Sequence, residues 1–260
     1  LIRALNSPED GVRRAAGSAL RRIEPDFSTL IPVLRKRLRS TNPETRLRGI
    51  TAIQTIGPAV ARGMLPEIIG ALEDPDVRVR RTAVWSTTEI VRETKELVPA
   101  LARRLEDEDV TVRISSAGAL GGDCRRSAVA IPALIGAMKD PDPRVRWAAI
   151  SAMQDCGAVA ASAVPALVEA LRDSDKAHRQ AVLRVLRTIG PEARLATRPL
   201  IDLLVDDDEE RAGQTLAAIG FDPELAVSAY TDWLQNRGRS KRWIPAYALG
   251  GFDSMSEDIS

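Results

Sequence analysis

The chain has 260 residues, of which 44% are hydrophobic and 28% charged, a balance that excludes a disordered tail and fits one large domain or two ordinary ones. Its formal net charge of +1 argues against a strong overall attraction to nucleic acid or to anionic membranes. A single histidine disfavours histidine-based catalysis and metal binding, and two cysteines give no indication of a disulfide-built secreted scaffold. No apolar run approaches the roughly 18 residues of a membrane-spanning helix, so we expect a cytoplasmic protein without a membrane partner.

Prolines recur along the chain at intervals of 33 or 34 residues: Pro32, Pro66, Pro99, Pro132, Pro165 and Pro199. Fourteen residues after each of the first five prolines comes an arginine: Arg46, Arg80, Arg113, Arg146 and Arg179. Eight residues after four of the prolines comes an aspartate (Asp74, Asp107, Asp140 and Asp173), and Ser40 takes that position in the second repeat. A fixed period of this length predicts stacked repeats.

Each unit is predicted to be a pair of helices. The proline fits the first turn of the first helix, and Asp-Pro-Asp at 74–76 and at 140–142 predicts a turn followed by a helix N-cap. The second helix then begins near the repeat arginine and buries the positions three, seven and ten residues after it, as in Val182, Leu186 and Ile189. Four glycines are predicted to end second helices: Gly57, Gly157, Gly190 and Gly220.

The first unit departs from the pattern. Leu5 and Arg13 take the repeat positions, but the marker proline falls before Leu1. The chain is therefore expected to start inside a first helix, either as a fragment of a longer array or after a trimmed leader.

The last units are also irregular. Repeat seven has Gly213 where the arginine is expected, and Arg211 is the candidate substitute. Residues 1–252 are predicted to form a single solenoid of about eight repeats, the first one truncated, and residues 253–260 a polar tail.

This succession of proline, leucine, Asp-Pro-Asp, Val-Arg, alanine, leucine and Ile-Gly resembles the HEAT repeat, in the short bacterial form similar to phycobilin-lyase-type repeats. The resemblance covers nearly the whole chain. It implies an all-α fold, a right-handed α-solenoid of antiparallel helix pairs, with first helices outside and second helices lining the concave face. HEAT-like arrays include scaffolds, adaptors, bilin lyase subunits and a few DNA repair enzymes, so the resemblance implies no single function.

Charged residues of the repeat are predicted to be structural partners. The aspartate of one turn is expected to bond the arginine of the next unit and form a ladder along the stack. The basic run from Arg35 to Arg39 is a candidate contact for nucleic acid or an acidic partner, with a solvated outer face as the alternative. We expect no catalytic residue, no metal site and no cofactor.

A second face of the second helices is predicted to meet solvent. We call it the second-helix stripe: the positions one, five and eight residues after the repeat arginine. Over six repeats these are Arg14, Ser18, Arg21, Leu47, Thr51, Gln54, Arg81, Trp85, Thr88, Ile114, Gly118, Gly121, Trp147, Ser151, Gln154, Gln180, Arg184 and Arg187. The stripe holds five arginines and no acid, and in the final unit it continues with Trp243 and Tyr247.

Tryptophan beside arginine is typical of a binding surface. The sequence therefore predicts a non-catalytic scaffold that binds a peptide or protein segment with acidic and apolar residues on its concave face. The predicted contact residues are Arg81, Trp85, Trp147, Arg184, Trp243 and Tyr247. The alternatives are a nucleic-acid-binding array similar to HEAT-like DNA glycosylases, for which Glu89 and Asp155 are the nearest carboxylates, and a bilin lyase-like subunit.

Overall fold

The computed structural model describes residues 1–23, 27–88, 90, 94–122, 129–173, 175–203 and 209–220. All regular structure in these residues is helical. Fourteen α-helices are described: α1 (Asp10–Ile23), α2 (Leu30–Leu38), α3 (Pro43–Ile56), α4 (Pro58–Arg62), α5 (Leu65–Leu72), α6 (Val77–Thr87), α7 (Leu97–Arg103), α8 (Val110–Gly121), α9 (Ala130–Ala137), α10 (Pro143–Met153), α11 (Val164–Ala170), α12 (Lys176–Ile189), α13 (Thr197–Leu203) and α14 (Glu209–Ile219). The chain forms two compact units, residues 1–137 and 138–260.

The first unit consists of two helix layers. The first helices of the repeats, α2, α5, α7 and α9, pack in that order, and so do the second helices, α1, α3, α6 and α8. The first helices α2, α5 and α7 also pack on the second helices of their own repeats, α3, α6 and α8, respectively. This arrangement matches the predicted helix pairs.

The second unit repeats this packing. Its second helices are α10, α12 and α14, and α12 contacts both others. The first helices α11 and α13 pack on α12 and α14, respectively. Two 3-10 segments, Gly157–Ala163 and Gly190–Ala196, connect one repeat to the next.

Three of the four predicted glycines directly follow the last residue of a second helix, whereas Gly157 comes four residues after Met153, the last residue of α10. Gly57, Gly157, Gly190 and Gly220 all have a positive φ, between 57° and 104°. Only a residue without a Cβ adopts such a backbone conformation without strain. The backbone at Gly57, Gly157 and Gly190 then enters a short helical segment, α4 or one of the two 3-10 segments.

The predicted buried stripe forms the core. Ala149, Met153 and Cys156 are buried, as are Val182, Leu186 and Ile189. Ile23 is the exception: it was expected to be buried but is 62% exposed. It is the last residue of α1.

The register of repeat seven differs from the prediction. Ala212, Leu216 and Ile219 are buried, and Gly220 ends the helix as Gly190 ends α12. Counting back from these positions places Glu209 where other repeats carry the arginine. Arg211, the candidate substitute, is exposed and lies two positions after this register position. The spacing from Pro199 to Gly220 is shorter than that from Pro165 to Gly190, and this shortening precedes α14 because the buried positions keep their spacing to the glycine.

Two further observations bear on the sequence-based expectations. Among the described residues, no helix is long and apolar enough to cross a membrane. Cys156 is buried and disulfide-bonded; Cys124, the other cysteine of the chain, lies outside the described residues, as does the tail at 253–260.

Candidate partner-binding surface

The repeat arginines and aspartates form ion pairs between successive repeats. Arg46 pairs with Asp74 through two hydrogen bonds, Nε to Oδ2 at 2.6 Å and Nη2 to Oδ1 at 2.8 Å. Arg80 pairs with Asp107 in the same way at 2.9 Å for both bonds, and Arg146 Nη2 lies 3.5 Å from Asp173 Oδ2. The ladder therefore exists, but its predicted direction is wrong: each of these three aspartates binds the arginine of the preceding repeat, not of the next one.

Each repeat arginine also holds its own interhelix turn. Arg80 Nη1 donates to the carbonyl oxygens of Asp74 and Pro75, at 2.9 and 3.2 Å. Asp107 in turn accepts the backbone N–H of Asp109 at 3.0 Å. The hydrogen bonds that Arg80 donates to the Asp107 carboxylate raise the pKa of the Arg80 guanidinium. The polar atoms of these groups are thus engaged by neighbouring repeats, as expected of structural partners.

The second-helix stripe faces solvent, as predicted. Seventeen of its eighteen positions over the six repeats are exposed or half-buried, and Gly121 is the buried one. The exposure follows from helix geometry, because positions three, seven and ten after the arginine turn toward the core and the stripe lies on another face.

In the first unit the stripe presents Trp85, whose side chain is 60% exposed. Thr51 on α3 and Gly118 on α8 take the same register position on the two helices that pack beside α6. Gly118 has no side chain, and a Cβ at this residue would meet no atom within 4 Å. The space next to Trp85 on the α8 side is therefore open.

Arg81 lies one turn before Trp85 on α6 and is already paired. Its Nε and Nη2 donate to the two carboxylate oxygens of Asp109, at 2.9 and 2.5 Å. Asp109 is the N-cap of α8 and also accepts the N–H of Val112. These bonds, led by the one from Arg81, lower the pKa of Asp109 to about 2. Arg81 is thus fixed by α8 instead of presenting an unpaired charge.

In the second unit the stripe presents Trp147, whose side chain is 47% exposed. The neighbouring helix α12 contributes Gln180 and Arg184, both half-buried, and the exposed Arg187. This part of the stripe combines one large aromatic with two cations and has no carboxylate at its stripe positions on α10 and α12.

Comparison with known proteins identifies the repeats. The HEAT-repeat profile matches residues 31–121, 98–164 and 131–220, which together cover well over half of the chain. The chain belongs to the HEAT-repeat family. This finding confirms the predicted all-α repeat fold.

Two crystal structures of engineered proteins from the Northeast Structural Genomics Consortium resemble this HEAT chain. One is 21% identical with a TM-score of 0.54, and the match covers 76% of this chain and 97% of that one. The other is 20% identical with a TM-score of 0.57, and the match covers 95% of this chain and 76% of that one. At these identities the likeness concerns the fold alone. No curated protein matches the chain, so the closer likeness to the phycobilin-lyase type stays a prediction.

The remaining predicted contact residues, Trp243 and Tyr247, lie outside the described residues of the HEAT chain.

Within the described residues no cluster of His, Cys, Asp and Glu has the arrangement of a metal site. His178 is buried, and its Nε2 lies 2.8 Å from the carbonyl oxygen of Pro143, which ties α12 to the start of α10.

The alternative interpretation of the basic run from Arg35 to Arg39, a solvated outer face, holds for only part of the run, and its contact with nucleic acid or an acidic partner stays a prediction. Arg37 is buried, whereas Lys36 and Arg39 are exposed. The sequence feature that sets this run apart is Ser40 in place of the repeat aspartate, because this change removes a carboxylate from the turn that follows the run.

Proposed function

We propose that this HEAT array is a non-catalytic interaction scaffold that binds a peptide or protein segment along the second-helix stripe, on the concave face of the stack. The observation that carries the proposal is the exposure of Trp85 and Trp147 on that stripe. Burying an indole on a partner removes a large apolar area from water at a small cost in side-chain entropy. Stacked helical repeats commonly offer such extended surfaces.

The two units favour different partner groups. Trp85 lies beside the open position at Gly118, and the nearby Arg81 is neutralised by Asp109, so this part of the stripe favours an apolar side chain. Trp147 lies on α10, and the neighbouring helix α12 carries Arg184 and Arg187. The part of the stripe in the second unit therefore favours an apolar residue followed by a carboxylate. The proposed partner is therefore a segment with both acidic and apolar residues. A cytoplasmic location belongs to the same proposal.

Selection from a displayed library of random peptides on the immobilised chain tests this function. Selected peptides are expected to combine aromatic or aliphatic residues with Asp or Glu. Their affinity is then measured by fluorescence polarisation for the wild type and for Trp85→Ala, Trp147→Ala and Arg184→Gln. We expect each tryptophan variant to lose roughly 2 kcal/mol of binding free energy if the indole is an anchor.

Leu195→Ala is the matched control for these variants. Leu195 is a large hydrophobic side chain that is 73% exposed, but it lies in a 3-10 segment off the stripe. Its removal should leave peptide affinity unchanged. Peptides that bind all three stripe variants as tightly as the wild type would contradict the proposal.

The same protein preparations distinguish the two alternatives. Binding of a labelled oligonucleotide that falls steeply with salt, and that the stripe variants abolish, would favour a nucleic-acid-binding array. A visible absorption band on mixing with a bilin would favour a bilin lyase-like subunit.

A further inference from the structure

A pocket of about 780 Å³ lies beside α2 and the turn that leads to α3. Its volume falls in the range of small-molecule sites, about 300–1,000 Å³. Four cationic residues line it: Arg35, Lys36, Arg37 and Arg39. Three hydroxyl residues line it as well: Ser40, Thr41 and Thr45. No carboxylate is among its described lining residues. The pocket belongs to a first helix and its turn, and so is separate from the second-helix stripe.

Arg37 is the unusual member of this set. Its side chain lines the pocket, yet the residue is only 8% exposed, and its Nη1 and Nη2 are buried without a hydrogen-bond partner. Burial lowers the pKa of its guanidinium. A buried cation without a counter-charge is unfavourable, and evolution usually pairs such a group or replaces it. An anion in the pocket would supply the missing partner.

The repeat pattern explains why Arg37 has no partner. Arg104 takes the same position in repeat four, five residues after the marker proline, and its Nη1 donates to Asp107 at 3.1 Å. The equivalent of Asp107 in repeat two is Ser40, which has no charge. Repeat two therefore lacks the carboxylate that would pair with Arg37.

Ser40 retains the conformational role of the aspartate. Its Oγ accepts the backbone N–H of Asn42 at 3.2 Å, just as Asp107 accepts the N–H of Asp109. Gly49 on α3 lies close to the base of Arg37, because a Cβ there would lie 3.2 Å from the Cβ of Arg37. The turn is thus preserved in repeat two, while the negative charge of the aspartate is missing.

The other charges around the pocket leave an excess of cations. Arg35 is neutralised by Glu67 of the next first helix, Nε to Oε1 at 2.5 Å. Lys36 and Arg39 are exposed at the rim. Three cations then remain for a ligand, with hydroxyl donors beside them. A dianion satisfies this arrangement better than a monoanion does.

We propose that this pocket binds the phosphate group of a small molecule, and that the phosphate takes the place of the carboxylate that Ser40 lacks. Arg37 pairs with the phosphate oxygens, while the exposed Lys36 and Arg39 attract the anion. Because both terminal nitrogens of Arg37 are shielded from solvent, binding includes a change of its rotamer toward the pocket.

Titration of the full chain with inorganic phosphate, pyrophosphate, a nucleoside monophosphate and a sugar phosphate tests this site. Calorimetry and the melting temperature are measured against chloride at matched ionic strength, which removes general screening. We expect saturable binding of at least one phosphate compound, and the series shows whether free phosphate or a phosphate ester is the better ligand. Equal effects of phosphate compounds and chloride would overturn the proposal.

Two variants isolate the residues. Ser40→Asp restores the repeat carboxylate, so it should raise the melting temperature without ligand and weaken phosphate binding at least tenfold. Arg37→Met removes the buried charge at similar length and should also weaken binding at least tenfold without unfolding the protein. Wild-type affinity in either folded variant would overturn the proposal.

Arg103→Gln is the matched control. Arg103 takes the repeat position of Lys36, is exposed, and pairs with Glu73 on the neighbouring first helix. Its loss should leave phosphate affinity unchanged, and an equal loss in this variant would show that general surface charge, not the pocket, attracts the anion. A phosphopeptide or oligonucleotide that binds more tightly than every small phosphate, with the same dependence on Arg37, would overturn the small-molecule assignment.

Discussion

Arg80 and Asp107 join the second helix of one repeat to the turn of the next through two hydrogen bonds of 2.9 Å, with side chains only 6% and 2% exposed. The pair is buried, so each charge depends on the other and on the surrounding carbonyl and N–H groups. Its contribution is to fix how one repeat stacks on its neighbour. Replacement of a single member leaves the other charge with fewer partners in a region that excludes water.

Arg80→Met should therefore destabilise the protein by about 3 kcal/mol. The substitution leaves Asp107 buried and also frees the carbonyl oxygens of Asp74 and Pro75. Urea unfolding followed by circular dichroism measures the change. The control is Arg103→Met, which breaks an exposed pair with Glu73 and should cost less than about 1 kcal/mol. Equal effects of the two variants would show that the ladder has no special role.

The sequence predicted the repeat fold because each unit carries the same signals for its own helices. The glycine ends, the buried positions and the solvent-facing stripe depend on local periodicity, and the structure confirms most of them, with Gly157 and Ile23 as exceptions among the described residues. The direction of the ladder was not predictable, because equal spacing places an aspartate between two candidate arginines. The pairing of Arg81 with Asp109 was missed for a related reason: the Asp109 carboxylate caps α8 in its own repeat and also accepts hydrogen bonds from an arginine of another repeat.

The buried state of Arg37 illustrates a different limit. A run of basic residues on a helix normally predicts a solvated face, and Lys36 and Arg39 follow that rule. The buried member, Arg37, packs beside Gly49, which lies on another helix, and its turn has Ser40 in place of the repeat aspartate. Only comparison between repeats, residue by residue, contains this information in the sequence.

Stability should fall in acid between about pH 4 and pH 2. Hydrogen bonds from Arg78 hold the pKa of Asp76 at about 2, and those from Arg81 hold that of Asp109 at about 2. Both values lie below the roughly 3.9 of an unfolded aspartate. These carboxylates therefore contribute stability above the unfolded pKa, and the contribution is lost as the pH falls through the folded value.

The double variant Asp76→Asn, Asp109→Asn should reduce this acid dependence. Asparagine still accepts the backbone N–H at the N-cap, so the helices keep their caps while the titrating groups disappear. Urea midpoints at pH 7, 4 and 2.5 measure the slope. Part of it should remain, because backbone bonds also lower the pKa of Asp175. An unchanged slope would contradict the assignment to these two groups.

Gly57→Ala and Gly70→Ala should change stability in opposite directions. Gly57 has φ 104° and ψ −166°, a conformation open almost only to glycine, so alanine there should cost about 1–3 kcal/mol. Gly70 lies exposed inside α5 with no atom within 4 Å of a Cβ, so alanine should stabilise by about 0.5–1 kcal/mol. Thermal unfolding of both variants tests the pair, and a stable Gly57→Ala would show that the turn tolerates a different backbone conformation.

Loss of the indoles at Trp85 and Trp147 should leave folding nearly intact. Their side chains are 60% and 47% exposed, so Trp85→Ala and Trp147→Ala should each change the free energy of unfolding by about 0.5 kcal/mol or less. Leu34→Ala provides the contrast: Leu34 is fully buried in α2, and its truncation should cost about 2–5 kcal/mol.

Urea unfolding of the three variants, measured beside peptide affinity, shows whether the indoles pack between repeats or bind the partner. If the tryptophan variants lose stability as Leu34→Ala does but bind peptides normally, the indoles pack between repeats and the partner surface lies elsewhere. If they stay stable and lose affinity, the stripe carries the binding energy, because only an indole that is exposed in the free protein has apolar area left to bury on a partner.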